Sequence, residues 1–144
     1  MPRTGNTFTA SREILATPEQ VFAAFTDPVR HARWWGPDGF TNTFKSREFK
    51  AGGRWIFTMH GPKGQNFPNE SVFEEVSPTK IVIRHESGPQ YRLIIGLEKS
   101  QAGTLVSWSQ TFDKLEIAEN IEKLVIPAND QNLERLSSEV LGRP

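Results

Sequence analysis

Three stretches of the chain alternate apolar and polar residues with a period of two. Trp55, Phe57 and Met59 fall on one side of the first, and Tyr91, Leu93, Ile95 and Leu97 on one side of the second. Val106, Trp108, Gln110 and Phe112 share a side of the third. This is strand spacing, with one face packed and one face wet. Residues 7–15 alternate in part, and strand-like runs at 40–49, 67–76 and 80–86 complete a set of seven with 53–60, 90–98 and 103–113. Short separators such as Ala51-Gly52-Gly53, Ser77-Pro78-Thr79 and Ser87-Gly88-Pro89 predict an antiparallel meander. From about Glu116 the spacing changes to threes and fours. Ile117, Ile121, Leu124, Val125, Ala128, Asn132, Leu136 and Val140 mark one face of a long helix that Gly142 ends. Pro127 falls inside it and predicts a kink or a division, because proline has no N–H to give.

Two shorter helices are predicted between the first and second strands. Thr17, Pro18 and Gln20 have the order of a capping box with proline at the first helical position, and Val21, Phe22, Ala24 and Phe25 give the apolar side. Asp27-Pro28 ends that helix and starts another through Val29 to Trp35, which Gly36-Pro37 closes. Adjacent tryptophans at this end, Trp34 and Trp35, cannot share one packing face. Either both rings plug the open end of the sheet, or one enters the core. The other then lies over a cavity rim or against a neighbouring copy in a homodimer.

The element order gives an α+β fold: an antiparallel sheet of seven strands with a long C-terminal helix on one face. One domain over residues 1–144 suits the length. Ten Phe, four Trp and one Tyr concentrate ring area on the strands, so Trp55, Phe57, Tyr91, Leu93, Trp108 and Phe112 are expected to face the helix. A curved sheet that the helix cannot fill leaves space for a ligand. Cysteine is absent, which removes thiolate chemistry, disulfides and Cys-based metal sites. Seventeen basic and seventeen acidic residues cancel, without the basic face that nucleic acid requires. No apolar run approaches a membrane span and no signal peptide opens the chain, so a soluble, cytoplasmic protein is expected.

Candidate chemistry is sparse. His31, His60 and His85 have no metal-ligand spacing to one another, and no motif for a cofactor or a phosphate is present. His31 is expected to be solvated and His60 to point outward. His85 shares parity with Ile81 and Ile83 and turns inward; Glu75 shares parity with Phe73 and is the one acid placed to join it. Gln110 stands between Trp108 and Phe112 on an apolar face. A buried amide needs partners. Gln110 therefore either bonds the long helix, at Asn132 or Gln131, or anchors a ligand.

The ordered segments TPEQVFAAFTDP (17–28), RWWGPDGF (33–40), AGGRWIFTMHGPKG (51–64), EEVSPTKIV (74–82), GTLVSWSQTF (103–112) and NDQNLERL (129–136) resemble the activator-of-Hsp90-ATPase C-terminal-like family. That family belongs to the START-like, or helix-grip, superfamily, with Bet v 1-type proteins and polyketide cyclases. The resemblance implies a helix-grip fold: a curved seven-stranded antiparallel sheet wrapped around the long C-terminal helix, with an internal cavity. The preferred reading is a binding module for an apolar or aromatic small molecule, with no cofactor and no catalytic residue assigned. Its cavity lining is expected from Trp35, Trp55, Phe57, Phe73, His85, Tyr91, Leu93, Trp108, Gln110, Phe112, Leu124, Ala128 and Asn132. The alternatives are a START-like cyclase, hydrolase or lyase using His85 and Glu75, and a protein that associates with an Hsp90-type chaperone.

Overall fold

The computed structural model describes residues 2–143. Eight antiparallel strands form one open sheet: β1 (Arg3–Thr4), β2 (Thr7–Ile14), β3 (Thr41–Arg47), β4 (Gly53–His60), β5 (Asn66–Ser77), β6 (Lys80–His85), β7 (Tyr91–Lys99) and β8 (Thr104–Phe112). Their order is β1-β2-β8-β7-β6-β5-β4-β3. The strand beyond the expected seven is β1, two residues paired with β2, too short to show any alternation.

Strands β3 to β8 are a meander, and β2 pairs with β8. The chain must therefore cross from β2 to the far edge at β3. It does so through α1 (Pro18–Thr26) and α2 (Pro28–Trp34). The capping box forms as expected: Gln20 N–H donates to Thr17 Oγ1 at 3.1 Å and Thr17 N–H to Gln20 Oε1 at 2.8 Å. Asp27 ends α1 and caps α2, accepting from Val29 N–H at 2.9 Å. Because both helices lie between opposite edges of one sheet, the sheet curls toward them. In a flat sheet, strands β4 and β8 would stand about 19 Å apart. A single indole, Trp35, instead lies 5.0 Å from the Trp55 ring on β4 and 5.8 Å from the Trp108 ring on β8.

The long helix α3 (Leu115–Leu141) packs on β2, β8, α1 and α2. It is not divided at Pro127. Pro127 leaves the Lys123 carbonyl without its helical donor, and both residues are exposed, so water can serve that group. Gly142 closes the helix at φ 69°, where its N–H meets the carbonyls of Glu139 and Ser138.

The buried stripe of α3 is Ala118, Val125, Asn129, Asn132, Leu133 and Leu136. Leu124 is 71% exposed, which corrects its place in the expected stripe and cavity lining. Val125, its neighbour, takes the inward position. Steps of four and three from Val125 reach Asn129, Asn132 and Leu136, so the expected Val125, Asn132 and Leu136 hold and Asn129 joins them in place of Leu124. Leu124→Ala should therefore change stability by less than about 0.5 kcal/mol, whereas Leu136→Ala should cost about 2–5 kcal/mol. Urea melts of the two variants measure the difference, and equal losses would place the stripe elsewhere.

Candidate functional site

Register across the sheet arranges the inward side chains in rows. One row runs Phe73, Ile83, Leu93, Gln110 and Phe8. The next runs Trp55, Ser71, His85, Tyr91 and Phe112, and carries three polar groups. Behind them the apolar interior is in two parts. The larger holds Trp34, Trp35, Trp55, Phe57, Phe73, Leu93, Trp108 and Leu133, among others. The smaller is built on Phe8, Phe112, Ala118 and Val125. Tyr91 packs against both.

A pair of amides occupies the seam. Gln110 lies on β8 between Trp108 of the larger cluster and Phe112 of the smaller. Asn129 lies on α3 between Val125 of the smaller and Leu133 of the larger. Asn129 Nδ2 donates to Gln110 Oε1 at 3.1 Å, and both residues are buried. Gln110 also lies beside the Tyr91 hydroxyl, whose pKa burial pushes up to about 12 against the opposing effect of that amide. Tyr91 is thus a neutral phenol at ordinary pH. Its ring stacks on His85 at 4.5 Å. His85 is held at both nitrogens: Nδ1 donates to the Pro89 carbonyl at 3.0 Å, and Nε2 accepts from the Ser87 hydroxyl at 3.2 Å. Burial lowers the His85 pKa, the Pro89 carbonyl opposes that shift, and Arg84 adds to it. The seam therefore offers neutral hydrogen-bonding groups between aromatic walls.

The tryptophan corner forms one end of the site. Trp34 Nε1 donates to the Ala24 carbonyl at 2.9 Å, so this ring is locked under α1. Trp35 turns the other way, into the space between Trp55 and Trp108. Both rings are buried, so neither lies over a rim. Gly36 follows at φ 98°, and a Cβ there would come within 2.8 Å of Met59 Cε and 3.2 Å of Phe40 Cβ. Glycine at this point lets the chain take this positive-φ turn without displacing Met59 and Phe40. Asn132 Nδ2 donates to the Trp34 carbonyl at 3.0 Å, and the Arg135 guanidinium bonds the carbonyls of Trp35, Gly36 and Pro37.

The sequence pattern of the activator of Hsp90 ATPase homolog 1-like proteins matches residues 15–140. The chain belongs to that family. Solved structures with the same fold include a Nitrosomonas europaea protein, 17% identical, with a TM-score of 0.87 and 97% of each chain covered. An Arthrobacter aurescens protein is 21% identical with a TM-score of 0.87, covering 96% of this chain and 87% of its own. The AHSA1 protein of Silicibacter pomeroyi is 19% identical with a TM-score of 0.76, covering 94% of this chain and 97% of its own. At these identities the likeness shows the fold alone. No curated protein matches the chain by sequence.

Within this family fold, the expected lining residues separate into groups. Trp35, Trp55, Phe57, Phe73, Leu93, Trp108 and Phe112 are buried in the two clusters, with Tyr91 half-buried between them. His85 and Gln110 are the buried polar members of the sheet face. Ala128 is half-buried beside Asn129, and Leu124 is outside. Asn132 is buried, but it serves the tryptophan corner and not Gln110; Gln131 Oε1 accepts from Asp38 N–H at 3.1 Å. Glu75 does not meet His85. A bulge between Phe73 and Glu75 reverses the parity of β5, and the Glu75 carboxylate stands exposed, 3.8 Å from Lys80 Nζ.

His31 corrects the reading of a solvated residue. It is fully buried among Phe25, Trp34, Trp35, Phe44 and Trp55, with its ring 4.7 Å from that of Trp55. Arg47 Nε donates to His31 Nδ1 at 3.2 Å, which leaves the imidazole proton on Nε2. Burial, and then Arg47, hold its pKa well below 6.5. Its spacing from Trp34 and Trp35, three and four residues, was the available signal for a shared helix face. Asn129 and Ser71 were also missed. Asn129 follows Val125 by four, and Ser71 shares parity with Phe73 before the bulge.

Two measurements follow from this arrangement. His31 stays neutral in the fold but protonates near 6.5 when unfolded. The unfolded chain then binds more protons, so stability must fall as pH drops below 6.5, by about 1.4 kcal/mol per pH unit for each such group. Urea melts between pH 7.5 and 5 should show this slope, and His31→Phe should remove one histidine's share. At the seam, Asn129→Ala should cost about 1–3 kcal/mol by orphaning Gln110, while Asn129→Leu combined with Gln110→Leu should cost less than the sum of the single changes. An additive double-mutant cycle would show that the amides do not act as a pair.

Proposed function

We propose that this protein binds an apolar or aromatic small molecule between the concave face of the sheet and α3. The supporting observation is the divided core: two apolar clusters meet at a seam where Gln110, Asn129 and Tyr91 supply polar groups. A purely structural core gains most by closing such a seam with aliphatic side chains, since a buried amide pair adds little net stability. A binding site needs the opposite, mostly apolar walls with a few fixed polar groups. The packing of α3 supports the same reading. Its close contacts are with β2, β8, α1 and α2, and the rings of Trp35, Trp55 and Phe57 belong to the larger cluster with Leu133 and Leu136 of α3. The family fold supports ligand binding in general terms.

A thermal-shift screen of neutral aromatic metabolites, sterols and hydrophobic acids tests this. A ligand at 100 times its Kd should stabilise the protein by about 2.7 kcal/mol, a shift of several degrees. Ala128→Leu, which adds bulk next to Asn129, should abolish most of that shift. An absence of hits across the library, with Ala128→Leu less stable than the parent through overpacking, would mean a solid core.

A further inference from the structure

We infer that Thr43, His60 and Asn66 form a second site, on the outer face of the sheet, where Thr43 is a nucleophile that takes the acyl group of small reactive esters. The proposed pocket lies on the other face, so the two readings stand or fall separately. On β4, Trp55 and Phe57 are buried inward, and alternation sends Thr58 and His60 outward. On β3, Phe44 packs against the core, and its neighbour Thr43 is exposed. Asn66 stands opposite His60 in the β4–β5 register. Across β3, Thr41 stands opposite His60 and Thr43 opposite Thr58, which makes Thr43 the diagonal neighbour of His60.

The three side chains join in one line of hydrogen bonds. His60 Nδ1 lies 2.7 Å from Asn66 Oδ1, and His60 Nε2 lies 2.7 Å from Thr43 Oγ1. An amide oxygen can only accept, so Nδ1 carries the ring proton and donates it to Asn66. Nε2 keeps its lone pair, and the Thr43 hydroxyl donates to it. A hydroxyl bonded to an imidazole that a third group orients is the arrangement that activates a nucleophile. Other residue types fill the same three roles in Ser-His-Asp and Cys-His-Asn enzymes. Packing does not require these bonds: Thr43 and Asn66 are exposed, where water can serve every group.

The edge of the sheet supplies a donor for the oxyanion. Gly61 N–H donates to the Gln65 carbonyl, so the β4 main chain at Gly61 faces β5. Main-chain direction alternates along an antiparallel strand. His60 and Thr58 therefore face β3, with Thr41 and Thr43 as partners. Phe44, one residue on, turns its N–H away from β4, and β3 is the last strand, so that N–H points out of the sheet edge. An N–H from the residue after the nucleophile is a recurrent oxyanion donor in acyl transfer.

The reaction balances with ester and water alone. Thr43 Oγ attacks the ester carbonyl, and its proton passes to His60 Nε2. The adduct expels the leaving oxygen, which takes that proton, and the acyl group stays on Thr43. Water then attacks the acyl-threonine with His60 again as base, which releases the carboxylic acid and restores the hydroxyl. Small Thr58 and Pro68 form the next row on this face, so an acyl donor reaches Thr43 from solvent. Such an open site selects by leaving group and not by acyl shape, which points to aryl esters of short acids.

The probe is 4-nitrophenyl acetate on the full chain, with 4-nitrophenolate release followed by absorbance and acetyl groups located by mass spectrometry of acid-quenched samples. Thr9, exposed on the same outer face with Ser109 opposite it, is the internal reference. Thr43 should acetylate about a hundredfold faster than Thr9, the lower end of what a positioned general base supplies. Thr43→Val should remove the fast release of 4-nitrophenolate. His60→Gln, polar but without a base, should slow Thr43 to the rate of Thr9. Asn66 is a positioning residue: Asn66→Ala should slow acetylation at least about tenfold by freeing the ring, and Asn66→Asp, which keeps an acceptor for Nδ1–H, should restore it. Melting temperatures of the variants should match the parent's, because every change lies on the wet face. Equal acetylation of Thr43 and Thr9, or fast acetylation of Thr43 in His60→Gln, overturns the inference. Acetylation of His60 in Thr43→Val at the parent rate makes the imidazole the nucleophile and overturns it as well.

Discussion

The Arg135 guanidinium holds the fold at its most demanding point. It projects from α3 into the loop after α2 and donates to five main-chain carbonyls, those of Arg33, Trp35, Gly36, Pro37 and Phe40. A chain that turns sharply after a helix leaves several carbonyls without donors, and a buried carbonyl without a donor is costly. Few side chains other than arginine carry enough N–H groups in a fixed plane to serve so many acceptors. Burial lowers the pKa of Arg135, with Asp38 opposing the shift. The same contact fixes where Trp34 and Trp35 diverge. Without it, neither the lock of Trp34 under α1 nor the placement of Trp35 between β4 and β8 would be defined.

From that anchor the rest of the architecture follows. Glu139, one turn beyond Arg135, pairs with Arg30 at 3.0 Å and Arg33 at 2.9 Å, so α2 and α3 are tied along one edge. Burial and the two guanidinium partners act in opposite senses on Glu139, and the partners prevail, lowering its pKa. The crossing through α1 and α2 joins β2 to the far edge of the sheet at β3, and the tie to α3 holds that crossing over the concave face. Curvature then brings rings from β4 and β8 to either side of Trp35, and the core is built around that indole. The seam of Gln110, Asn129 and Tyr91 lies where the larger cluster gives way to the smaller.

Much of the fold was legible because each signal was local. The capping box at Thr17 and Gln20, the stop at Gly142 and the alternation in β4, β7 and β8 depend on neighbours within a few residues, and all of them hold. The failures share a cause as well. Glu75 was placed inward by parity, but one bulge residue inverts every side chain beyond it. Spacing of threes and fours admits both Leu124 and Val125 to the stripe, but the rotation of α3 buries Val125 and Asn129 and leaves Leu124 in water.

The sequence alone determined the order of the seven longer strands and three helices, the helix caps and the identity of the aromatic face. These rest on periodicity and capping, which act over one or two turns of chain. Only the tertiary structure decided that His31 is buried and neutral and that Gln110 pairs with Asn129. Each of these depends on the register of strands and the rotation of α3, which bring together residues 16 and 19 positions apart in the chain. A one-residue change in either turns a side chain from the interior to water, and no local pattern records that choice.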